Sequence, residues 1–119
     1  MHPTASNLRV ALYVRVSSGQ PAEAKAIAQQ LAELRHRIAK DGGSFDDGHC
    51  YIDRGVPGAS LQRPALQRLR DQAARGSLDR LYVLAPDRLG RTSTALAQVM
   101  NEFAQAGVEL TFLDPTGSA

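Results

Sequence analysis

Arg15 and Ser17 are the first residues along the chain whose types and spacing could do chemistry. They close an apolar run, Val10-Ala11-Leu12-Tyr13-Val14-Arg15-Val16-Ser17-Ser18, which breaks at Gly19 and Gln20. A buried strand rarely carries an arginine near its end unless the charge has something to bind. Side chains two apart on a strand share a face, so the guanidinium and the hydroxyl point the same way. A serine oxygen becomes a nucleophile once its proton is removed and the charge that develops is held. Arginine's planar fork matches phosphate through paired hydrogen bonds. Together the two residues describe attack on a dense anion such as a phosphodiester.

Three loops, and the strands and helices that carry them, must deliver this site. Strands are expected over about Arg9–Val16, His49–Asp53, Arg80–Ala85 and Val108–Leu113. Helices are expected from Pro21 to about Lys40, from Pro64 to Arg75-Gly76, and over about Ser93–Ala106, with Gly107 closing the last. In the first helix Ile27, Leu31, Leu34 and Ile38 make one apolar stripe; in the second, Leu66, Leu69 and Ala73 face inward; in the third, Leu96, Val99, Met100 and Phe103 share a face. Strands alternating with helices imply a largely parallel sheet with right-handed crossovers. The fold expected is therefore α/β: a three-layer sandwich around a mainly parallel sheet of four to five strands, with flavodoxin-like topology.

In such a sheet the loops after the first three strands open at one edge, where α/β proteins bind ligands. They bring together Arg15 and Ser17, then Asp53 and Arg63, then Asp87, Arg88 and Arg91. Four arginines against two carboxylates repel one another unless an anion joins them. Each residue has a plainer reading. Ser17 could cap the first helix, Arg15 could pair with Asp87 across neighbouring strands, Arg63 could be an exposed residue at a helix start, and Asp87-Arg88-Leu89-Gly90-Arg91 could be a solvated turn. Convergence at one edge is what favours a site.

The whole chain sets the outer limits. At 119 residues it is one domain, with 43% hydrophobic residues and a net charge of +2. Twelve of its fourteen basic residues are Arg, which a GC-rich genome would also produce, so position matters more than the count. A single cysteine, Cys50, leaves no internal disulfide and fits a reducing compartment. No apolar run approaches membrane-spanning length, and residues 1–7 lack a signal layout, so a cytoplasmic location and a disordered lead-in are expected. The three histidines, His2, His36 and His49, are scattered and make no metal cluster.

These motifs resemble the catalytic domain of the serine recombinases, the resolvase, invertase and serine integrase family. Tyr13-Val14-Arg15-Val16-Ser17 is similar to the family's nucleophile motif, with Ser17 in the nucleophile's place. Asp53-Arg54-Gly55-Val56-Pro57-Gly58-Ala59-Ser60 is similar to the loop ahead of the next arginine segment, Arg63-Pro64-Ala65-Leu66. Asp87-Arg88-Leu89-Gly90-Arg91 matches the most specific motif. The likeness runs over about residues 8–114, leaving 115–119 as a tail. It implies a resolvase-like fold and a site-specific recombinase that cleaves and rejoins double-stranded DNA through a covalent 5′-phosphoserine at Ser17. It further implies that Arg15, Arg63, Arg88 and Arg91 bind the scissile phosphate, that Asp87 orients arginines, and that Gln30 takes the place of a family glutamine in the first helix. No cofactor or metal is implied. The implied partner besides DNA is the protein itself, as a dimer and then a synaptic tetramer.

The family pattern is departed from at two places. Pro57 stands where a serine is common, and Gln20 is one position away from the usual glutamine, where Pro21 sits. The chain also stops before the oligomerisation helix and DNA-binding domain that follow in the family, so it reads as a domain cut from a longer protein. Two other functions compete. A non-catalytic flavodoxin-like regulatory or binding domain would want an acidic cluster where the arginines stand. A cysteine phosphatase would need an arginine suitably spaced after Cys50, and none is present.

Overall fold

The computed structural model describes residues 9–16, 23–42, 49–53, 64–90 and 92–114. Within them lie β1 (Val10–Arg15), α1 (Glu23–Lys40), β2 (Cys50–Asp53), α2 (Pro64–Ala74), β3 (Arg80–Val83), α3 (Ser93–Gln105) and β4 (Glu109–Phe112), with a short 3-10 turn at Pro86–Arg88. The strands form one sheet in the order β2-β1-β3-β4, and every pair is parallel. Among the described residues the sheet has four strands, the lower of the numbers expected.

β1 is central and buried along its whole length, which is why its sequence is a near-continuous apolar run rather than an alternating one. Alternation decides which layer each side chain joins. Val10, Leu12, Val14 and Val16 face α1, where they pack with Ile27, Leu34, Ile38 and the ring of Tyr82. Ala11 and Tyr13 face the other way, toward α2 and α3, with Leu66, Leu69, Val99 and Phe103. Burying side chains of this size stabilises the fold by roughly 1.5–3 kcal/mol each. The three layers expected from the sequence are thus present.

The helices are rotated slightly from the stripes read in the sequence. In α1 the buried positions are Ile27, Gln30, Leu34 and Ile38, while Leu31 is half-buried at the rim. In α3 Val99 and Phe103 are buried, Leu96 packs beside them, and Met100 is 36% exposed. At 100° per residue Met100 falls at the margin of the arc centred on Val99, Leu96 and Phe103. Gly76 and Gly107 end α2 and α3 with φ of 74° and 80°. Both lie in the left-handed region that suits glycine, and the next amides, Ser77 and Val108, reach back to the carbonyls of Gln72 and Phe103.

The N-terminal edge of the sheet is tied by ion pairs. The Arg9 guanidinium clasps the Asp79 carboxylate with two bonds of 3.0 Å, and the Arg9 amide adds a third at 2.8 Å. Arg80 pairs with Glu109 at 2.6 Å. The Tyr82 hydroxyl crosses to the residue that follows α1 and donates to Asp41 at 2.7 Å, where Arg37 also pairs at 3.3 Å. No helix among the described residues is long and apolar enough to cross a membrane.

Candidate active site

The chain passes from β1 to β2 on one side of the sheet and then to β3 on the other. That reversal opens a crevice between the C-terminal ends of β1 and β3, the position where open α/β sheets bind ligands. β1 brings Arg15 to this edge and β3 leads into Asp87 and Arg88. Ser17 follows β1 by two residues. Ser17, Arg63 and Arg91 lie outside the described residues.

Arg15 is 4% exposed. It lies opposite Asp53 in the β1–β2 register, and the Val16 amide continues that pairing by donating to the Asp53 carbonyl at 3.1 Å. Arg88 comes from the other side of the crevice. Its Nη1 donates to the Arg15 carbonyl at 3.4 Å. A guanidinium from the third loop is thereby held at the end of the first strand. Asp87 places Oδ1 4.0 Å from Arg88 Nε, a distance suited to orienting the guanidinium electrostatically.

The turn carrying these residues is built by its own sequence. Pro86 fixes the backbone at the start of the 3-10 turn, and the amides of Arg88 and Leu89 close it on the carbonyls of Ala85 and Pro86. Leu89 is 1% exposed and anchors the turn in the α2–α3 side of the core. Gly90 passes so close to α3 that a Cβ there would stand 2.7 Å from the Leu96 nitrogen. No other residue permits that approach. Thr92 then caps α3, its side-chain oxygen accepting from the Ala95 amide at 3.1 Å. The apolar Leu89 and Gly90 thus seat Asp87 and Arg88.

The structure gives Asp53 a different task from the one its position suggested. Its carboxylate accepts from the amides of Ala65 and Leu66 at 2.8 and 3.1 Å and from the Tyr13 hydroxyl at 2.8 Å. Asp53 is 3% exposed. It holds the N-terminus of α2, where a negative charge meets the positive end of the helix dipole, and fixes the helix that begins directly after Arg63. Tyr13 is the residue the sequence reading passed over. The available signal was a tyrosine inside a buried strand, two positions before Arg15, whose hydroxyl must find a partner.

Gln30 is 8% exposed on α1. Its helix covers the Leu12 and Val14 face of the sheet, whereas Arg15 continues the Ala11 and Tyr13 face. The structure therefore unites Arg15, Asp87 and Arg88 at one edge and sets Gln30 in the layer on the opposite side. Among the described residues, no three His, Cys, Asp or Glu side chains are grouped so as to hold a metal ion.

The family model described as "Resolvase, N terminal domain" matches residues 10–118. The chain belongs to that family. Resolvase-family relatives extend the match. The chain is 31% identical over 107 residues to the transposon Tn3 resolvase of Escherichia coli, covering 90% of this chain and 51% of the relative. It is 33% identical over 106 residues to a candidate DNA recombinase of Bacillus subtilis (strain 168), covering 88% of this chain and 20% of the relative. Among solved structures, the N-terminal catalytic domain of TP901-1 integrase superposes with a TM-score of 0.71 at 31% identity, over 88% of this chain and 76% of that one. The resolvase-like fold expected from the motifs is thereby established, and the chain spans about half or less of the length of these two curated relatives.

Proposed function

We propose that this domain is the catalytic part of a serine-type site-specific DNA recombinase. Ser17 attacks a backbone phosphorus of double-stranded DNA, forms a 5′-phosphoserine and expels a 3′-hydroxyl. Arg15, Arg63, Arg88 and Arg91 bind the phosphate and hold the charge that builds on its oxygens as the bond to the leaving oxygen lengthens. Asp87 orients the guanidinium of Arg88. Gln30, in the place of the family's glutamine in the first helix, completes the catalytic set. The covalent bond to Ser17 conserves the energy of the phosphodiester, so rejoining needs no nucleotide cofactor.

The observation that carries this reading is the bond from Arg88 to the Arg15 carbonyl. It fastens a guanidinium, a group whose chemistry suits phosphate, to the strand end two residues ahead of Ser17 in the sequence. The family membership and the names of the relatives support the same chemistry. In the whole protein, the domain acts on DNA in the cytoplasm as a dimer that assembles into a synaptic tetramer, with the segments that drive assembly and site recognition outside residues 8–114.

The test is to trap the adduct. The full-length protein is incubated with supercoiled DNA carrying its site, stopped with denaturant, and digested. Mass spectrometry should find a nucleotide on the peptide containing Ser17, and Ser17→Ala should yield none. Cleavage that persists in Ser17→Ala removes the assignment. A protein that binds its DNA without ever forming an adduct is a binding module.

A further inference from the structure

The described arginines fall into two groups. Arg9, Arg37, Arg70, Arg80 and Arg88 each have a carboxylate within 4.0 Å, and Arg15 and Arg35 are also engaged. The side chains of Arg68 and Arg75 have no hydrogen bond or ion pair among the described residues, and both line one groove of about 340 Å³. The groove runs along the outer side of α2 against the edge strand β2, and Cys50, Tyr51, Asp71 and Gln72 complete it.

We propose that this groove carries a phosphate backbone of the DNA duplex, with Arg68 and Arg75 as its contacts outside the cleavage site. The inference rests on the recombinase reading above. Arg75 keeps the helical bond of its amide to the Asp71 carbonyl, at 3.1 Å, so it continues α2 by one residue. A spacing of seven residues puts both arginines on one side of the helix, roughly 10 Å apart along its axis. α2 starts at the edge that holds Arg15 and Arg88 and leads away from it, so a strand leaving that edge meets Arg68 first and Arg75 next.

The lining favours nucleic acid over an acidic protein segment. Protein interfaces centre on aromatic or aliphatic anchors in a desolvated pocket. Here Tyr51 is 8% exposed, Cys50 is half-buried, and the other lining groups are two guanidinium ions, an amide and one carboxylate. Such a surface supplies the donors that fix a phosphate backbone without reading sequence. The carboxylate, Asp71, accepts from Gln67 at 3.2 Å and stands between the arginines.

Fluorescence anisotropy of the 119-residue chain with a labelled duplex of arbitrary sequence, from 50 to 200 mM salt, tests the inference. The double variant Arg68→Ala/Arg75→Ala should flatten the slope of log affinity against log salt by about 2, at about 0.9 per lost phosphate contact. Arg68→Lys/Arg75→Lys should restore most of the slope, and Arg70→Ala, whose arginine is paired with Glu102, should not alter it. An unchanged slope in the alanine variant overturns the inference. So does a parent chain with no salt-dependent binding, or a groove from which polyglutamate displaces duplex at equal charge. The Ser17 adduct in the unmodified full-length protein reports separately on the recombinase reading.

Discussion

The two edges of the sheet use the same residue types to opposite ends. At the N-terminal edge, Arg9, Arg80 and Arg37 each meet a carboxylate, and the result is stitching between neighbouring elements. At the C-terminal edge the carboxylate of Asp53 is taken up by two amides and a tyrosine hydroxyl. It therefore anchors α2 instead of neutralising the arginines. Arg88 bonds to a backbone carbonyl and faces its neighbour Asp87 at 4.0 Å. Charge pairing spends an arginine's binding capacity within the protein. Arg88 is instead held by a backbone carbonyl together with a longer contact to its own neighbour, so it is positioned at the strand end and does not tie two elements together by charge.

This contrast can be broken most sharply at Arg88. Arg88→Ala should reduce DNA cleavage by the full-length protein by about 10²–10³-fold while the melting temperature of the domain stays near that of the parent. A large fall in thermal stability with modest loss of cleavage would make the C-terminal edge structural, like its counterpart. Asp53→Ala should show the reverse balance. It leaves two buried amides and the Tyr13 hydroxyl without their acceptor, at a cost of about 3 kcal/mol or more in urea unfolding, and activity should fall because the start of α2 loses its placement.

Gly90→Ala should come next, destabilising by roughly 1–3 kcal/mol as the turn is pushed from the backbone of Leu96. Cleavage should drop with it, since Arg88 moves with the turn. The smallest effect belongs to the N-terminal edge. Tyr82→Phe removes the hydrogen bond to Asp41 and should cost about 1 kcal/mol without touching cleavage. The pH profile sharpens this. The Tyr82 hydroxyl, with help from Arg37 and against the effect of burial, holds the Asp41 carboxyl below its ordinary range. That contribution is present above about pH 4 and is lost as pH falls further. Burial, followed by the bond to Asp41, pushes Tyr82 above its ordinary value, so its contribution is present below about pH 10 and is lost as pH rises through the higher folded value. Tyr82→Phe should weaken the acid limb and remove this residue's part of the alkaline one.

Much of this molecule was legible in the chain itself. The apolar run of β1 specified a strand buried on both faces, because nothing in Val10–Val14 could face water. The glycines at 76 and 107 marked helix ends, because the left-handed backbone there is easy only for glycine. The β-α alternation specified a parallel sheet, and the residue order at its strand ends specified which loops would share an edge. The motifs pointed to the family, and membership in the resolvase N-terminal domain family agrees with that.

Tertiary structure decided what each polar side chain does. Asp53 and Asp87 are both acidic residues near strand ends, and composition and spacing do not separate them. One turns back to cap a helix 12 residues along, and the other stays beside Arg88. Gln30 and Leu31 are adjacent, yet the rotation of α1 on the sheet buries the glutamine and leaves the leucine at the rim. Periodicity reports only which arc of a helix is apolar, while the packing of ridges against a particular sheet sets the angle at which that arc lands. Hydrogen bonding is likewise a matter of which donors lie within about 3 Å, a distance that exists only after the chain has folded.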